Sequence, residues 1–433
     1  MQAAEKIRIL RKSKGLTQDA FAAAIYTNVS KIGQVESGNA EYTDRQLAII
    51  GKLFHIEDMP LSQEECAAFK NKLFIWRRHI MDRELVKAKA MQKDMSKIIN
   101  LELCDSDLPV LYRIFEVVLQ FAENDFAAAL ESIEYIDKNF NMTPEQQFYH
   151  YRNKGFMYVH NSQREEALEF YHQALDLAET AKDFLPKDIP MLYCNIGFCY
   201  TVLGYPVRAI LYLGKARELH KCKDETDRLS LILDWMLAIN CVITNQLNEA
   251  NALLSGSYER AKSLDDEYSL GNIIYIHGFL NMQEKNWREA LEWFDRACEF
   301  FNKGTDDHIH ANYHKIRCMV SARRFAKASE MLREAQHLYN ESSKYKAHYD
   351  ALWHYNEVSR RITMYNEASA NYLENVAIPY LMSTNNHLMA MEYYQLLEAY
   401  YEHKSVKKSL IMAQGTRMIY QRCFANTEIP QKI

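Results

Sequence analysis

The spacing of apolar residues near the start of the chain predicts two short helices that share a small core. These residues are Leu16, Phe21, Ala22, Ile25, Ile32 and Val35. Within each predicted helix they recur three or four residues apart, which places them on one face. Thr17 precedes the first helix and Asn28 the second, and both residue types favour the N-cap position. Gly38 follows the second helix, where a glycine commonly ends a helix.

The second of these helices leaves small and polar side chains on its outer face, namely Val29, Ser30, Lys31 and Gln34. A short helix that is held rigidly against another and presents such groups fits the major groove of DNA. The alternative interpretation is a helical hairpin that binds no DNA. Gly33 within this helix should cost about 1 kcal/mol of helix propensity relative to alanine.

Residues 64–99 follow, and their pattern predicts one or two further helices. An apolar stripe of Phe69, Leu73, Trp76 and Ile80 runs along one face. Basic residues lie nearby, at Arg77, Arg78, Arg83 and Lys87. We favour a solvated linker helix here, and the alternative is additional phosphate contacts or a dimer contact.

From about residue 110 one alanine recurs at a nearly constant interval and opens the second helix of each predicted hairpin. The marker positions are Ala129, Ala167, Ala209, Ala250, Ala290, Ala328, Ala368 and Ser409, which lie 38 to 42 residues apart. Glycine or alanine stands twelve residues before four markers, at Gly155, Gly197, Ala238 and Gly278, and residues such as Tyr171, Leu213 and Phe294 stand four residues after a marker. Small residues where helices cross and large residues between them predict a solenoid of stacked helical hairpins. Ala88 lies 41 residues before Ala129, so the array has eight hairpins or, with this one, nine.

This register is similar to the tetratricopeptide pattern, G-x2-Y followed by A-x3-F. The period also suits HEAT-type hairpins, but the glycine and alanine positions favour tetratricopeptides. That resemblance implies a ligand groove on the concave face of the first helices, where amide side chains would bond an extended peptide and aromatic walls would take its apolar side chains. The predicted peptide-binding residues are Asn153, Asn195, Trp235, Asn272, Tyr275, Phe279, Gln283, Tyr313, Arg317 and Trp353. For Phe156, Phe198 and Phe279 a place in the core between hairpins is an equal alternative.

The charge of the chain is unevenly distributed. The 433 residues carry a formal net charge of −5, but residues 1–100 contribute +5 and the remainder −10. A basic first quarter on an acidic body predicts that nucleic acid binds at one end only. No run of 18 apolar residues and no signal peptide is found, and nine scattered cysteines without a CxxC pair indicate reduced thiols, so we predict a cytoplasmic protein without membrane contact.

No catalytic motif is found: there is no glycine-rich phosphate loop, no HExxH and no nucleophile elbow. His308, His310 and His314 stand beside Asp306 and Asp307, and His310 and His314 share a helix face. No second ligand set accompanies them, so we predict no metal site and no cofactor. The chain is predicted not to be an enzyme and to have no catalytic residues.

The first 57 residues closely resemble the helix-turn-helix of the Xre/phage-repressor family, through Gly15-Leu16-Thr17-Gln18, Asn28 to Glu36, and Gly38. The resemblance implies that Gln18 contacts phosphate and that positions 29, 30 and 34 face base edges. It also implies a buried salt bridge between Arg11 and Glu36. The predicted DNA-binding residues are Lys14, Gln18, Asn28, Val29, Ser30, Lys31 and Gln34. Tyr26 is a departure, because the family usually has glycine there.

A helix-turn-helix fused to a long tetratricopeptide array resembles the RRNPP family of peptide pheromone receptors, with its NprR-, PlcR-, Rgg- and Rap-like members. The resemblance implies a quorum-sensing transcription regulator, usually homodimeric, that binds operator DNA and is switched by a short imported peptide. The alternative is a tetratricopeptide interaction regulator, such as a Rap-like phosphorelay modulator or a scaffold, with little DNA binding. We therefore predict an all-α fold: a helix-turn-helix domain over residues 1–60, a helical linker over 61–108, and a right-handed superhelical solenoid of about eight or nine hairpins over 109–433.

Overall fold

The computed structural model describes residues 2–54, 63–98, 108–161, 163–180, 188–220, 228–303, 305–338, 343–360 and 366–425, and these residues form helices and turns without a β-strand. The all-α prediction is therefore confirmed. The chain divides into two compact units, Met1–Pro186 and Lys187–Ile433. Within the described residues, no helix is both long enough and apolar enough to cross a bilayer.

The N-terminal helices are α1 (Gln2–Ser13), α2 (Gln18–Ala24), α3 (Val29–Glu36) and α4 (Asp44–Phe54). Their shared core contains Ile7, Leu10, Phe21, Ala22, Ile25, Ile32, Val35, Ile50 and Phe54, with Leu16 packed against it. Both predicted caps form, because Thr17 Oγ1 accepts from Ala20 N at 3.1 Å and Asn28 Oδ1 from Lys31 N at 2.8 Å. Local capping and a few apolar contacts thus define this domain, as its sequence predicted.

Two helices follow, α5 (Gln63–Met81) and α6 (Leu85–Ile98), and they pack as a hairpin rather than as a solvated linker. The stripe from Phe69 to Ile80 is buried, and Trp76 stacks on Tyr112 with ring centroids 5.2 Å apart. Arg77 is buried too, with its guanidinium 5.0 Å from the centre of the Tyr149 ring. The apolar stripe outweighs the neighbouring charges, because burying such side chains removes a large area from water. The predicted boundary at residues 60 and 61 lies outside the described residues.

The remaining hairpins follow the predicted register. The first unit continues with α7 (Leu108–Ala122), α8 (Phe126–Asn139), α9 (Pro144–His160) and α10 (Arg164–Thr180). The second unit contains α11 (Ile189–Val202), α12 (Pro206–Leu219), α13 (Arg228–Ile243), α14 (Leu247–Leu254), α15 (Ser257–Ser263), α16 (Glu267–Gln283), α17 (Trp287–Phe300), α18 (Asp306–Ser321), α19 (Phe325–Leu338), α20 (Ser343–Arg360), α21 (Glu367–Tyr372), α22 (Ile378–Ser383), α23 (His387–Tyr401) and α24 (Val406–Tyr420). The repeat reflects alanines that are completely buried between helices. Ala88 and six of the array markers are 0% exposed: Ala88, Ala129, Ala167, Ala209, Ala250, Ala290 and Ala328.

Glycine permits the closest helix crossings within the hairpins. A Cβ added at Gly197 would lie 2.6 Å from Leu213 Cγ, and one at Gly278 would lie 2.7 Å from the Phe294 ring. Gly155 faces Tyr171 in the same way. Each large residue stands four positions after a marker, so the small-against-large pattern read from the sequence is the physical contact between the two helices of a hairpin.

The pattern fails at Ala368, which is exposed, whereas Ala370 is buried. The helix here is interrupted by a π-helical turn, Leu373–Ala377, which joins α21 to α22. A π-helical turn inserts one extra residue into the helical repeat, which changes the side-chain register of the residues that follow it, from α22 onward. A second π-helical turn, Gln421–Ala425, follows α24.

The tight turns between helices share one strained backbone conformation. A residue with positive φ stands five positions before the buried alanine at Arg83, Asn124, Gly204, Asn245, Lys285, Arg323 and Asn385. The next residue then donates its N–H to the carbonyl five residues earlier, as Asp125 does to Gln120 at 2.9 Å. These are Schellman-type helix ends, in which glycine is the usual residue because it has no Cβ.

Tyr26 adopts the same conformation between α2 and α3, with φ +55° and a side chain that is 83% exposed. Thr27 N donates to Ala22 O at 2.9 Å, which completes the same helix end. The structure therefore requires left-handed backbone at the position where the Xre family usually has glycine. The exposed ring offers little packing to offset this strain.

We expect Tyr26→Gly to stabilise the N-terminal domain by about 0.5–1 kcal/mol, because the strain of a side chain at positive φ exceeds the entropy that glycine loses. Denaturant unfolding, followed by hydrogen exchange in α2 and α3, measures this change. Tyr26→Ala is the matched control, since alanine keeps the Cβ and should give no such gain. Equal stability of the glycine and alanine variants would contradict the strain argument.

Candidate functional sites

The outer face of α3 is open to solvent. Val29 is 37% exposed, Ser30 and Gln34 are exposed, and Lys31 is half-buried. Lys14 is exposed on the turn after α1, and Asn28 is exposed although its Oδ1 caps α3. A Cβ added at Gly33 would meet no atom within 4 Å, so this position leaves space on the helix surface. Val29, Ser30 and Gln34 are thus accessible on α3.

A buried ion pair fixes this helix to the rest of the domain. Arg11 Nε donates to Glu36 Oε1 at 2.7 Å, and a second guanidinium nitrogen donates to Oε2 at 3.0 Å. Both side chains are 7% exposed. Arg11 also donates to the Leu16 carbonyl at 2.6 Å, which ties α1 to the start of the helix-turn-helix. The predicted Arg11–Glu36 salt bridge is confirmed, with the bidentate geometry that gives such pairs their directionality.

Gln18 adds a third bond to this network, because its Nε2 donates to Glu36 Oε2 at 2.8 Å. The family resemblance implied a phosphate contact for Gln18 and did not indicate this bond to the Glu36 carboxylate. A side-chain amide has two N–H groups and an oxygen, so Gln18 keeps capacity for a phosphate contact while it bonds Glu36. The phosphate contact itself stays a prediction.

The environment of Glu36 shifts its ionisation. Burial alone would raise its pKa, but hydrogen bonds from Arg11 and Gln18 and the charge of Arg11 outweigh this and lower the pKa below 4.5. The carboxylate is therefore ionised in the folded domain at neutral pH. The neighbouring phenol of Tyr42 is buried, and burial raises its pKa to about 12, so that group remains neutral.

In the second unit, four aromatic rings from α16 and α18 come together. Tyr275 and Phe279 have ring centroids 4.9 Å apart, and His314 lies 5.7 Å from the first and 4.6 Å from the second. Tyr313 contacts the other side of His314 at 5.1 Å. Burial and the charge of Arg317 hold the pKa of His314 well below its usual value, so this imidazole is a neutral ring within the cluster. Tyr275 and Phe279 are half-buried, which leaves part of each ring accessible.

Two contacts link α18 to α23. Arg317 forms an ion pair with Glu392, and Tyr313 Oη donates to Met389 Sδ at 3.0 Å. Tyr355 of α20 stacks on Tyr393 of α23 at 5.0 Å. The predicted ligand contact Arg317 therefore already has an internal carboxylate partner. The sequence pattern did not reveal His314, Tyr355, Met389 or Glu392, because Glu392 is 75 residues from Arg317 and belongs to another hairpin.

The predicted amide side chains fall into different environments. Asn195 is half-buried on α11, and its side chain makes no hydrogen bond to the described residues. Asn272 donates to the Tyr268 carbonyl of its own helix at 2.9 Å, and Gln283 is exposed near the end of α16. Trp353 is half-buried, with the Arg333 guanidinium 5.7 Å from its ring centre.

Three predicted groove residues are buried instead. Asn153 of the first unit is 7% exposed, and its amide donates to the Ile114 carbonyl at 2.7 Å. Trp235 and Tyr313 of the second unit are 6% and 4% exposed. We expected asparagine to avoid the core because an unpaired amide is costly there, but a main-chain carbonyl of the neighbouring hairpin removes that cost for Asn153. Phe156, at the same helical register, is 42% exposed.

Within the described part of the chain, no group of three or more His, Cys, Asp or Glu side chains is placed to hold a metal ion. His308 lies apart from His314, on the wall of a surface cavity of about 670 Å³ that Asp295, Asn312 and Lys315 also line. Lys315 forms an ion pair with Asp295 there.

We expect Glu36→Ala to destabilise the N-terminal domain by about 3–5 kcal/mol, because it leaves the Arg11 guanidinium buried without its carboxylate. Hydrogen exchange during denaturant unfolding would report the loss, in α1 to α3 for Glu36→Ala and in α19 for Glu330→Ala. Glu330→Ala is the control, since its pair with Lys327 is more than half exposed and should contribute at most about 1 kcal/mol. Similar effects of the two variants would show that burial adds nothing to the Arg11–Glu36 pair.

The same pair predicts a pH dependence. The pKa of Glu36 is lower in the folded state than its ordinary 4.5, so its contribution to stability is complete above pH 4.5 and is lost as the pH falls through the lower folded value. We expect acid unfolding of α1 to α3 to be steeper in the parent chain than in Glu36→Gln, measured by exchange between pH 6 and pH 3. Acid-unfolding curves of equal slope for the parent chain and Glu36→Gln would contradict this pH dependence.

The chain was compared with known proteins by sequence and by structure. No protein-family model matches the chain. It is similar to the transcriptional activator NprA of Geobacillus stearothermophilus, with 18% identity over 407 residues that cover 91% of this chain and 97% of NprA. It is also similar to the regulatory protein RapD of Bacillus subtilis strain 168, with 22% identity over 201 residues; this match spans 46% of the chain and 56% of RapD.

Two solved structures share the fold at low sequence identity. A Rap protein in complex with competence and sporulation factor superposes with a TM-score of 0.67 and 15% identity, over 83% of this chain and 99% of that one. NprR in complex with its cognate peptide NprX gives a TM-score of 0.63 and 14% identity, over 81% and 98%. These likenesses support the tetratricopeptide-like solenoid. Together with the match along nearly all of NprA, they are in line with the resemblance of this chain to the RRNPP family of peptide-responsive regulators.

Proposed function

We propose that this protein is a cytosolic transcription regulator that binds operator DNA through α3 and responds to a short signalling peptide. The observation that carries the proposal is the exposed face of α3, where Ser30 and Gln34 are accessible and the Arg11–Glu36 pair fixes the helix beneath them. A recognition helix needs both features, because rigid placement sets the register on DNA while polar side chains read base edges. The match to NprA, a transcriptional activator, supports this proposal.

We propose the peptide site on the second unit. Asn195 offers amide groups with no hydrogen-bond partner among the described residues, and the half-buried Tyr275 and Phe279 offer an apolar wall. Asn272, Gln283 and Trp353 are further candidates on the same set of first helices. Such a combination suits an extended, partly apolar peptide of about five to ten residues. Of the two solved structures that share the fold, NprR is bound to its cognate peptide NprX and the Rap protein to competence and sporulation factor.

The buried residues of the predicted set take a supporting role. Trp235 and Tyr313 fill space beneath the surface, and Arg317 is neutralised by Glu392, so we assign direct peptide contact to none of these three. Asn153 joins α9 to α7 and is likewise assigned a packing role. The proposed site therefore keeps fewer residues than the sequence pattern indicated.

A homodimer would place two α3 helices on the half-sites of a palindrome, about one or more helical turns apart. Peptide binding would act through the hairpins, since each contacts its neighbours and small rotations at several interfaces change the curvature of the array. We propose that this alters operator affinity by a coupling of about 1–3 kcal/mol.

A second candidate function is an interaction regulator of the Rap type with little DNA binding. The similarity to RapD and the TM-score of 0.67 with a Rap protein favour it, although the RapD match spans 201 residues. A solved structure of the same fold, with a TM-score of 0.51 and 14% identity, is described as aspartyl phosphate phosphatase F of Bacillus subtilis. Operator selection distinguishes the two functions, because the second requires no sequence-specific duplex.

We expect Gln34→Ala and Ser30→Ala to reduce discrimination between operator and random duplex by about 1–3 kcal/mol each. Lys14→Ala is the contrasting variant: it should weaken all duplexes similarly and lower the salt slope by about 1. Selection from a random duplex library, followed by fluorescence anisotropy at several salt concentrations, measures both effects. Failure to select any sequence at physiological salt would refute the DNA-binding proposal and favour the Rap-type function.

We expect Asn195→Ala to weaken peptide binding by about 1–3 kcal/mol, because a buried peptide group would lose its partner. DNA binding without peptide should be unchanged. Calorimetry with synthetic peptides of about five to ten residues, taken from small reading frames beside the gene, tests this. Asn251→Ala is the control, because Asn251 is an exposed residue of α14, in the second helix of its hairpin. Equal affinities of parent and Asn195→Ala would show that the site is misplaced.

A further inference from the structure

The first and last hairpins of the second unit contact each other. The turn between α11 and α12 contains Gly204, and a Cβ added there would lie 3.5 Å from Leu388 Cγ at the start of α23. Tyr205 in the same turn accepts a hydrogen bond through its Oη from Arg422 Nε at 2.8 Å. These partners are separated by 217 positions along the chain. The row of hairpins therefore returns upon itself within this unit.

We name this contact the seam, and define it by Gly204, Tyr205, Arg208, His387, Leu388 and Arg422. Its centre is the Tyr205 ring, and two guanidinium groups lie over this ring: Arg208 at 5.3 Å and Arg422 at 5.9 Å from the ring centre. The His387 ring meets the Tyr205 ring edge-on at 6.0 Å. Cation–π contacts of this kind stabilise a seam without requiring a carboxylate.

His387 is fully buried at 0% exposure, and neither ring nitrogen has a hydrogen-bond partner among the described residues. Two groups act on it directly: the Tyr205 ring meets it edge-on, and the charge of Arg422 on the π-helical turn after α24 reaches it. Arg208 of α12 lies over the Tyr205 ring, and the charges of both arginines reach the Cys423 thiol. Neither arginine forms an ion pair within the described part of the chain. A protonated His387 would thus be a buried cation without a hydrogen-bond partner or an anion, and the charge of Arg422 would repel it, which is costly.

We propose that the seam is a latch that holds the second unit in one curvature, and that protonation of His387 releases it. The helix that carries His387 also carries Met389 and Glu392, which contact Tyr313 and Arg317 of α18. Release of α23 at the seam would therefore loosen the wall beside the aromatic cluster. The latch rests on contacts within the second unit and does not depend on the proposed peptide or DNA ligands.

The direction of the pH effect follows from the buried histidine. Burial, reinforced by the charge of Arg422, lowers the pKa of His387 to about 4 from 6.5. The closed seam favours the neutral ring, so its stability is complete above pH 6.5 and falls as the pH drops from 6.5 towards 4. If the open seam restores the ordinary pKa, the ratio of closed to open falls about tenfold between pH 7.5 and pH 5.5.

Hydrogen exchange of the full chain, corrected for the intrinsic pH dependence of amide exchange, tests the latch. We expect amides of the α11–α12 turn and of the first two turns of α23 to exchange about tenfold faster at pH 5.5 than at pH 7.5. Amides of α6, which belongs to the first unit, should show no corrected change. A uniform increase over all helices, or no increase at the seam, would overturn the proposal.

Two variants separate the latch from a general acid effect. His387→Leu keeps a buried side chain that cannot be protonated, so the pH dependence at the seam should disappear, whereas the exposed His403→Gln should retain it. Arg422→Gln removes the guanidinium from Tyr205 and should raise seam exchange at both pH values. A pH response that persists in His387→Leu, or an unchanged seam in Arg422→Gln, would contradict the mechanism. Because no DNA or peptide is used, failure here is distinguishable from failure of the proposed function.

Discussion

A helical hairpin cannot bury its apolar face alone, and this constraint organises most of the chain. Three hairpins bring a glycine of their first helix against a large residue of their second, as Gly197 meets Leu213 and Gly278 meets Phe294. The apolar side chains that this crossing leaves uncovered face the neighbouring hairpin, which buries them. The buried marker alanines repeat because a small side chain is needed wherever the two helices of a hairpin pack closely.

The sequence predicted well what depends on local or periodic contacts. The caps at Thr17 and Asn28, the core around Phe21 and the buried alanines each follow from residues a few positions apart. The Arg11–Glu36 pair was accessible only through a family resemblance, because nothing in its spacing distinguishes it from an exposed pair. Gln18 completes that pair, and its bond to Glu36 had no signal in the sequence.

The groove was harder to predict because helical periodicity cannot separate a concave surface from the adjoining core. Asn153 and Asn195 hold the same place before their markers, yet Asn153 bonds a main-chain carbonyl and Asn195 bonds no described residue. Arg317 illustrates a second limit: its partner Glu392 lies in a distant hairpin, and such pairing depends on how the whole array curves. The buried alanine of the next hairpin is Ala370 rather than the predicted Ala368, and this shift similarly has no visible sequence signal.

The strained turns have a consequence for how the solenoid unfolds. Side chains at positive φ, such as Lys285 and Arg323, weaken individual hairpins by about 1 kcal/mol each while leaving the surfaces between hairpins intact. In a one-dimensional array, weak units joined by strong interfaces rarely unfold singly, because one open hairpin also forfeits two interfaces. The strain thus favours long cooperative segments over local fraying. A conformational change at one hairpin is then transmitted along the whole of such a segment. A row of individually stable hairpins would not transmit it.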